Sequence, residues 1–248
     1  MSNPFHFSSK FYDLLYSDKD TIAESNYVHQ HLQQNKISGN TILEFGCGTG
    51  RHARQLASLG YKVHGIDRSK AMVESCPLVS GFTCQYGDIV DFTTNKNFDA
   101  ILSLFHVISY QVTNDDLLSS FNTVYNHLNN GGLFLFDVWY TPAVLCQQPE
   151  TRIKRIQTSD IAFTRIAEPT VYPNLNRVDV NYTMFCENLH THEISTFTEV
   201  HPMRHFSIPE IQYIATNFGF EIIQTEEWLT RNVPSFDTWG ITFLLRKK

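Results

Sequence analysis

An apolar strand running into three glycines at alternate positions, Ile42-Leu-Glu44-Phe-Gly46-Cys-Gly48-Thr-Gly50-Arg51-His52, constrains this chain more than any other segment. Glycine reaches backbone conformations closed to other residues and lets a ligand lie against the main chain, so this spacing marks a cradle at the head of a helix. Several ligand classes use such a turn, so it specifies a strand-loop-helix start before it specifies a ligand. From there apolar strands at 41–45, 62–66, 82–86, 98–105 and 133–137 alternate with amphipathic helices at 51–59, 69–75 and 115–128. The alternation predicts a parallel α/β sheet with helices on both faces. The continuous apolar run Phe98–Phe105 suits its buried centre.

Two details narrow the ligand. A dinucleotide fingerprint places a third glycine where pyrophosphate meets the first helical amides, and here Arg51 stands at that place. Glu44 would repel a pyrophosphate but suits an ammonium or sulfonium group. S-adenosylmethionine carries both cations and no phosphate. The strand Lys62-Val-His-Gly-Ile-Asp67 ends in a carboxylate that can accept from both ribose hydroxyls. At the tip of the third strand, Asp88 can accept from an adenine amino group while the Ile89 amide meets the ring. Met72 is expected to pack on adenine, and Arg68 and Leu104 complete the expected cofactor contacts with Gly46, Gly48 and Gly50.

The series LEFGCGTGRHA, GID, YGDI, FDAILSLF and GGLFLFDV, in this order across residues 40–140, resembles class I, Rossmann-type S-adenosylmethionine-dependent methyltransferases. More narrowly, Phe11-Tyr12-Asp13-Leu-Leu-Tyr16, the short core and a late β-rich insertion resemble bacterial N,N-dimethyltransferases of nucleotide-linked amino sugars. The resemblance implies a Rossmann-like sheet, S-adenosyl-L-methionine as cofactor with S-adenosyl-L-homocysteine as product, and methyl transfer to the amine of a small molecule. It also implies that Tyr12 or Tyr16 closes over the methionine end, where an aromatic face attracts a sulfonium by roughly 0.5–2 kcal/mol. His106 and Tyr110, just past the fourth strand, are the candidate catalytic residues. Tyr110 falls where the family places a catalytic His, a departure that leaves His106 as a substitute base. Glu199-Val-His201 resembles an acidic-x-His element of the sugar enzymes. A homodimer paired through the inserted strands is implied in the same way.

Between Thr151 and Phe206 the pattern shifts to period two, which predicts antiparallel strands set into the α/β frame. Residues 1–150 and 207–248 then form the cofactor domain, and 151–206 an inserted β subdomain acting as substrate lid or dimer contact. Its Arg152, Arg155, Arg165, Arg177 and Arg204 could fork a nucleotide diphosphate, although equal numbers of acidic residues make a solvated mixed-charge face the simpler reading. Ser207-Ile-Pro-Glu210 opens a helix, and strands near 220–227 and 239–246 complete the sheet.

A chain of 248 residues with 42% hydrophobic content fills one such domain plus its insertion. A net charge of −6 argues against a nucleic-acid partner, because neutralising phosphates needs a concentrated basic face. Cys47, Cys76, Cys84, Cys146 and Cys186 contain no Cys-x-x-Cys pair, so they read as reduced thiols with no metal site. No apolar run is long enough to cross a bilayer, and polar Met1–Lys10 lacks a signal core, so a cytoplasmic protein without a membrane partner is expected. The competing readings are a methyltransferase for another amine or a hydroxyl, a nucleotide-dependent oxidoreductase, and a cofactor-binding protein without turnover.

Overall fold

The structure is a computed structural model describing residues 11–248; the N-terminal polar stretch Met1–Lys10 lies outside the described residues. Strands β1 (Thr41–Phe45), β2 (Lys62–Asp67), β3 (Phe82–Tyr86), β4 (Phe98–Ser103) and β5 (Leu128–Tyr140) form a parallel sheet in the order β3-β2-β1-β4-β5. The order reverses between β1 and β4, and open α/β sheets bind ligands at the carboxyl ends of strands flanking such a switch. Beyond β5, the antiparallel β11 (Gly240–Lys247) and β10 (Phe220–Glu227) complete this Rossmann-like sheet.

Strand alternation divides the core between the two faces. Leu43, Phe45, Ile101, Phe134 and Phe136 pack under α5 (Asn114–His127) and α7 (Ile208–Asn217). Ile42, Ala100, Leu102, Leu133 and Leu135 pack under α2 (Thr21–Gln34) and α3 (Arg51–Ser58). The expected cap at Ser207 is made: its hydroxyl accepts from the Glu210 amide at 3.4 Å.

The 151–206 segment folds into β6 (Arg152–Gln157), β7 (Ile161–Tyr172), β8 (Arg177–Asn188) and β9 (Ile194–Phe206), an antiparallel sheet of consecutive neighbours. It joins the main sheet where Trp139 and Tyr140 pair with His205 and Phe206. That joint corrects one expectation. Val138-Trp139-Tyr140, placed past the end of the fifth strand by the sequence pattern, belong to β5 because β9 and β11 both supply hydrogen-bonding partners there. A short helix α1 (Tyr12–Leu15) leans on the inserted sheet through Leu15, Phe163 and Met184, all buried. The inserted strands are thereby held over the carboxyl ends of β1, β2 and β4.

Candidate active site

A cavity of about 350 Å³ opens at those strand ends. Its floor is the glycine loop, where Gly46, Gly48 and Gly50 all have positive φ (64°, 55° and 77°), a region favouring glycine over L-residues with side chains. A side chain at Gly48 would project toward the Tyr12 ring, 3.8 Å from the first added carbon, in the space over the loop. Asp67 closes β2 with one oxygen accepting from the Gly48 amide at 2.8 Å and the other from the Ser69 amide at 2.7 Å. Burial raises its carboxyl above the ordinary range, against the pull of those amides.

Beside Asp67, the wall continues through Arg68, Met72, Asp88, Ile89 and Leu104. Tyr12 and Tyr16 cover the cavity from α1 and the turn after it, their rings 4.9 Å apart, and Tyr16 meets Phe105 edge-on at 5.0 Å. Arg51, the residue in place of a third glycine, is engaged by the protein itself. Its guanidinium donates to the Tyr16 and Lys19 carbonyls at 2.5 and 3.3 Å, tying α3 to the covering segment.

Two residues expected against the cofactor do not line this cavity. Gly50 instead packs on the Phe82 ring, which leaves no room for a side chain. Glu44 is buried behind the loop, with Oε1 3.8 Å from His52 Nδ1 and Oε2 without a hydrogen-bond partner. Burial pushes its carboxyl up to about 8. The cause is sheet geometry: alternation along β1 sends Glu44 to the α2/α3 face, toward His52.

At the other end stand two polar relays. Phe105 and His106 both adopt left-handed φ (63° and 62°), which turns the chain sharply out of β4. The turn brings His106 Nδ1 to 2.7 Å from Asp137 Oδ2, and Asp137 is buried. The same oxygen accepts from the His106 backbone amide at 3.2 Å, and the Nδ1 contact is an ion-pair approach without hydrogen-bond geometry; a carboxylate this close favours a proton on Nδ1, which leaves Nε2 as the acceptor. Tyr110 Oη lies 2.8 Å from His201 Nδ1, and His201 Nε2 lies 3.2 Å from Glu199 Oε2. Burial holds the Tyr110 phenol well above its usual range, so it works as a neutral hydroxyl.

The chain matches a methyltransferase domain model over residues 42–132. It is 23% identical over 215 residues, 85% of this chain and 89% of its relative, to a dTDP-3-amino-3,4,6-trideoxy-alpha-D-glucopyranose N,N-dimethyltransferase of Streptomyces venezuelae. It is 31% identical over 53% of its length to a dTDP-4-amino-2,3,4,6-tetradeoxy-D-glucose N,N-dimethyltransferase of Saccharopolyspora spinosa, covering 54% of that protein. Its fold superposes with a TM-score of 0.80 on an S-adenosylmethionine-dependent methyltransferase from Clostridium acetobutylicum, at 22% identity and 97% coverage of both chains. The chain is a Rossmann-type S-adenosylmethionine-dependent methyltransferase.

In this methyltransferase the inserted sheet also contributes to the cavity, which periodicity could not show. Arg152, Arg165, Tyr182 and His201 line it, although most charges of the insertion read as solvated from the pattern alone. Arg165 donates to the Tyr16 hydroxyl at 3.1 Å, and its guanidinium lies 4.9 Å from the Tyr182 ring centroid. Phe105 and Gln111 also line the cavity and escaped the sequence reading, and Trp139 joins them from the end of β5. Asp137 had a usable signal: an acidic residue at the end of the apolar run Leu133–Phe136. Among the described residues no helix is long and apolar enough to cross a membrane.

Proposed function

We propose that this methyltransferase moves a methyl group to the amine of a small molecule, a nucleotide-linked amino sugar. The observation that carries the reading is one cavity with a ribose-type acceptor, Asp67, at one end and His106–Asp137 facing the acceptor end. The S. venezuelae and S. spinosa relatives, named as amino-sugar N,N-dimethyltransferases, support the acceptor class. Arg152 and Arg165 in the roof offer planar forks to a diphosphate.

The residues present fit S-adenosylmethionine. Its adenosine would meet Asp67, Asp88, Ile89, Met72, Arg68 and Leu104, and its methionine end would meet Gly46, Gly48, Tyr12 and Tyr16. Glu44 Oε2, buried and unpartnered, fits a role as a charge beneath the loop that a cation above would stabilise. When bound, the cofactor supplies an activated methyl on a sulfonium. This chain's residues must then align the amine, exclude water and take up a proton; alignment alone is worth on the order of 7–11 kcal/mol. A protonated amine has no lone pair for attack, so His106 Nε2 accepts its proton while Asp137 stabilises the imidazolium. Tyr110, donating to His201, keeps an oxygen lone pair with which to orient the acceptor's remaining N–H.

A panel of nucleotide-linked amino sugars, free amino sugars and simple amines, with methylation read by mass spectrometry, tests the reading. N-methylated sugar nucleotide as the preferred product is expected. Preference for a simple amine or an oxygen acceptor overturns the substrate class and leaves the cofactor reading standing. Pairing of two copies through the inserted strands and indifference to nucleic acid complete the proposal; light scattering and a nucleic-acid binding assay check them.

A further inference from the structure

The cysteines that looked unrelated in the sequence converge in space. Cys47 lies between Gly46 and Gly48 in the cofactor loop, Cys76 follows α4 (Lys70–Glu74), and Cys84 lies in β3. Their three sulfurs fall within 4.8 Å of one another, with Cys47 and Cys84 only 3.3 Å apart. At 3.3 Å the two sulfurs are in contact but not bonded, and pairing them would leave the third unused; the convergence of all three asks for a different explanation. Gly65, beside Cys84 in the sheet, leaves the necessary room, since any side chain there would reach within 2.6 Å of the Cys47 sulfur.

We propose that Cys47, Cys76 and Cys84 form a three-coordinate, all-sulfur site for a single copper(I) ion. Metal–sulfur bonds of about 2.3 Å in a trigonal plane set sulfurs about 4 Å apart, so the cluster needs only a small opening between Cys47 and Cys84. The donor set chooses the ion. Thiolates select soft metals, and structural zinc takes four ligands, whereas the described residues converge here with three thiols and neither imidazole nor carboxylate among them. Cys76 and Cys84 are half-buried and Cys47 buried, which gives an entry path with a closed far side. Binding releases the thiol protons as the three sulfurs become thiolate ligands, with no change in oxidation state.

The site lies beneath the cofactor loop and outside the large cavity's wall, so it is distinct from the methyl-transfer centre. Both Cys76 and Cys47 also approach the Gly48 carbonyl, at 3.3 and 3.8 Å, so capture of their sulfurs removes donors from the loop.

The test uses the reduced, metal-stripped full chain, titrated without oxygen against the copper(I) complex of bathocuproine disulfonate. Wild type is expected to withdraw one copper(I) per chain. C76S and C84S should each lose affinity by about tenfold or more, since even outer-shell changes at metal sites cost that much. C146S, altered at an exposed cysteine remote in sequence, should match wild type. Failure to withdraw copper, or equal withdrawal by wild type, C76S and C84S, overturns the site. Copper X-ray absorption on the wild-type complex gives an answer independent of variant folding: three sulfur neighbours support the site, and two in a line overturn it. Displacement of the copper by equimolar zinc overturns the choice of ion.

Discussion

Asp67 holds two backbone amides while remaining at the cavity wall, so its carboxylate orders the loop and presents an acceptor at once. Asp67→Ala should weaken S-adenosylhomocysteine binding by about 2–3 kcal/mol, read by calorimetry, because charge-assisted hydrogen bonds of that order are lost. His106 and Tyr110 make separable predictions. His106→Ala should lower kcat by about 10²–10⁴, the usual contribution of a positioned base. Asp137→Asn should lower kcat less than His106→Ala, since the ring keeps a polar neighbour but loses the charge facing it. If Tyr110→Phe costs more than His106→Ala in the same assay, the Tyr110–His201 relay handles the proton and the assignment of His106 is wrong.

The loop between β1 and α3 stores its shape in backbone geometry. Gly46→Ala would place a side chain at positive φ and within 2.5 Å of Val107, so it should destabilise the fold by about 1–3 kcal/mol in urea unfolding. The joint between β5 and β9 responds to pH through His205, which is buried, bonded at Nδ1 to Thr141 Oγ1 at 2.9 Å and unpartnered at Nε2. Burial, aided by the Arg204 charge, lowers its pKa from 6.5 to about 4. Between those values the unfolded chain binds a proton that the native chain refuses, so stability rises with pH across the window and is lost as pH falls through it. In His205→Asn the decline of the thermal midpoint from pH 6.5 toward 4 should be shallower than in wild type. An unchanged slope would place the acid sensitivity elsewhere.

The assembled protein encloses its cavity between a Rossmann-like sheet and a β roof joined by two residue pairs and by α1. Arg165, which touches Tyr16 from the roof, is therefore placed to report whether the insertion recognises substrate. Arg165→Ala should raise the KM for a nucleotide-linked acceptor by about tenfold, near 1.4 kcal/mol, and leave that for a simple amine unchanged. The succession of strands and helices along the chain, the glycine loop, the place of Asp67 at the end of β2 and the antiparallel character of 151–206 were readable because each depends on local spacing: period two or 3.6, or glycines where φ turns positive. Side-chain partners across the fold were not readable. Glu44 turned behind the loop, His106 met Asp137 across 31 positions, Tyr110 found His201 across 91, and three dispersed cysteines came within reach of one another. Local chemistry therefore settled which elements form and which cofactor suits them, while those pairings depended on strand order and the direction each side chain leaves its strand. Both are set by packing between distant segments, which no sequence window contains.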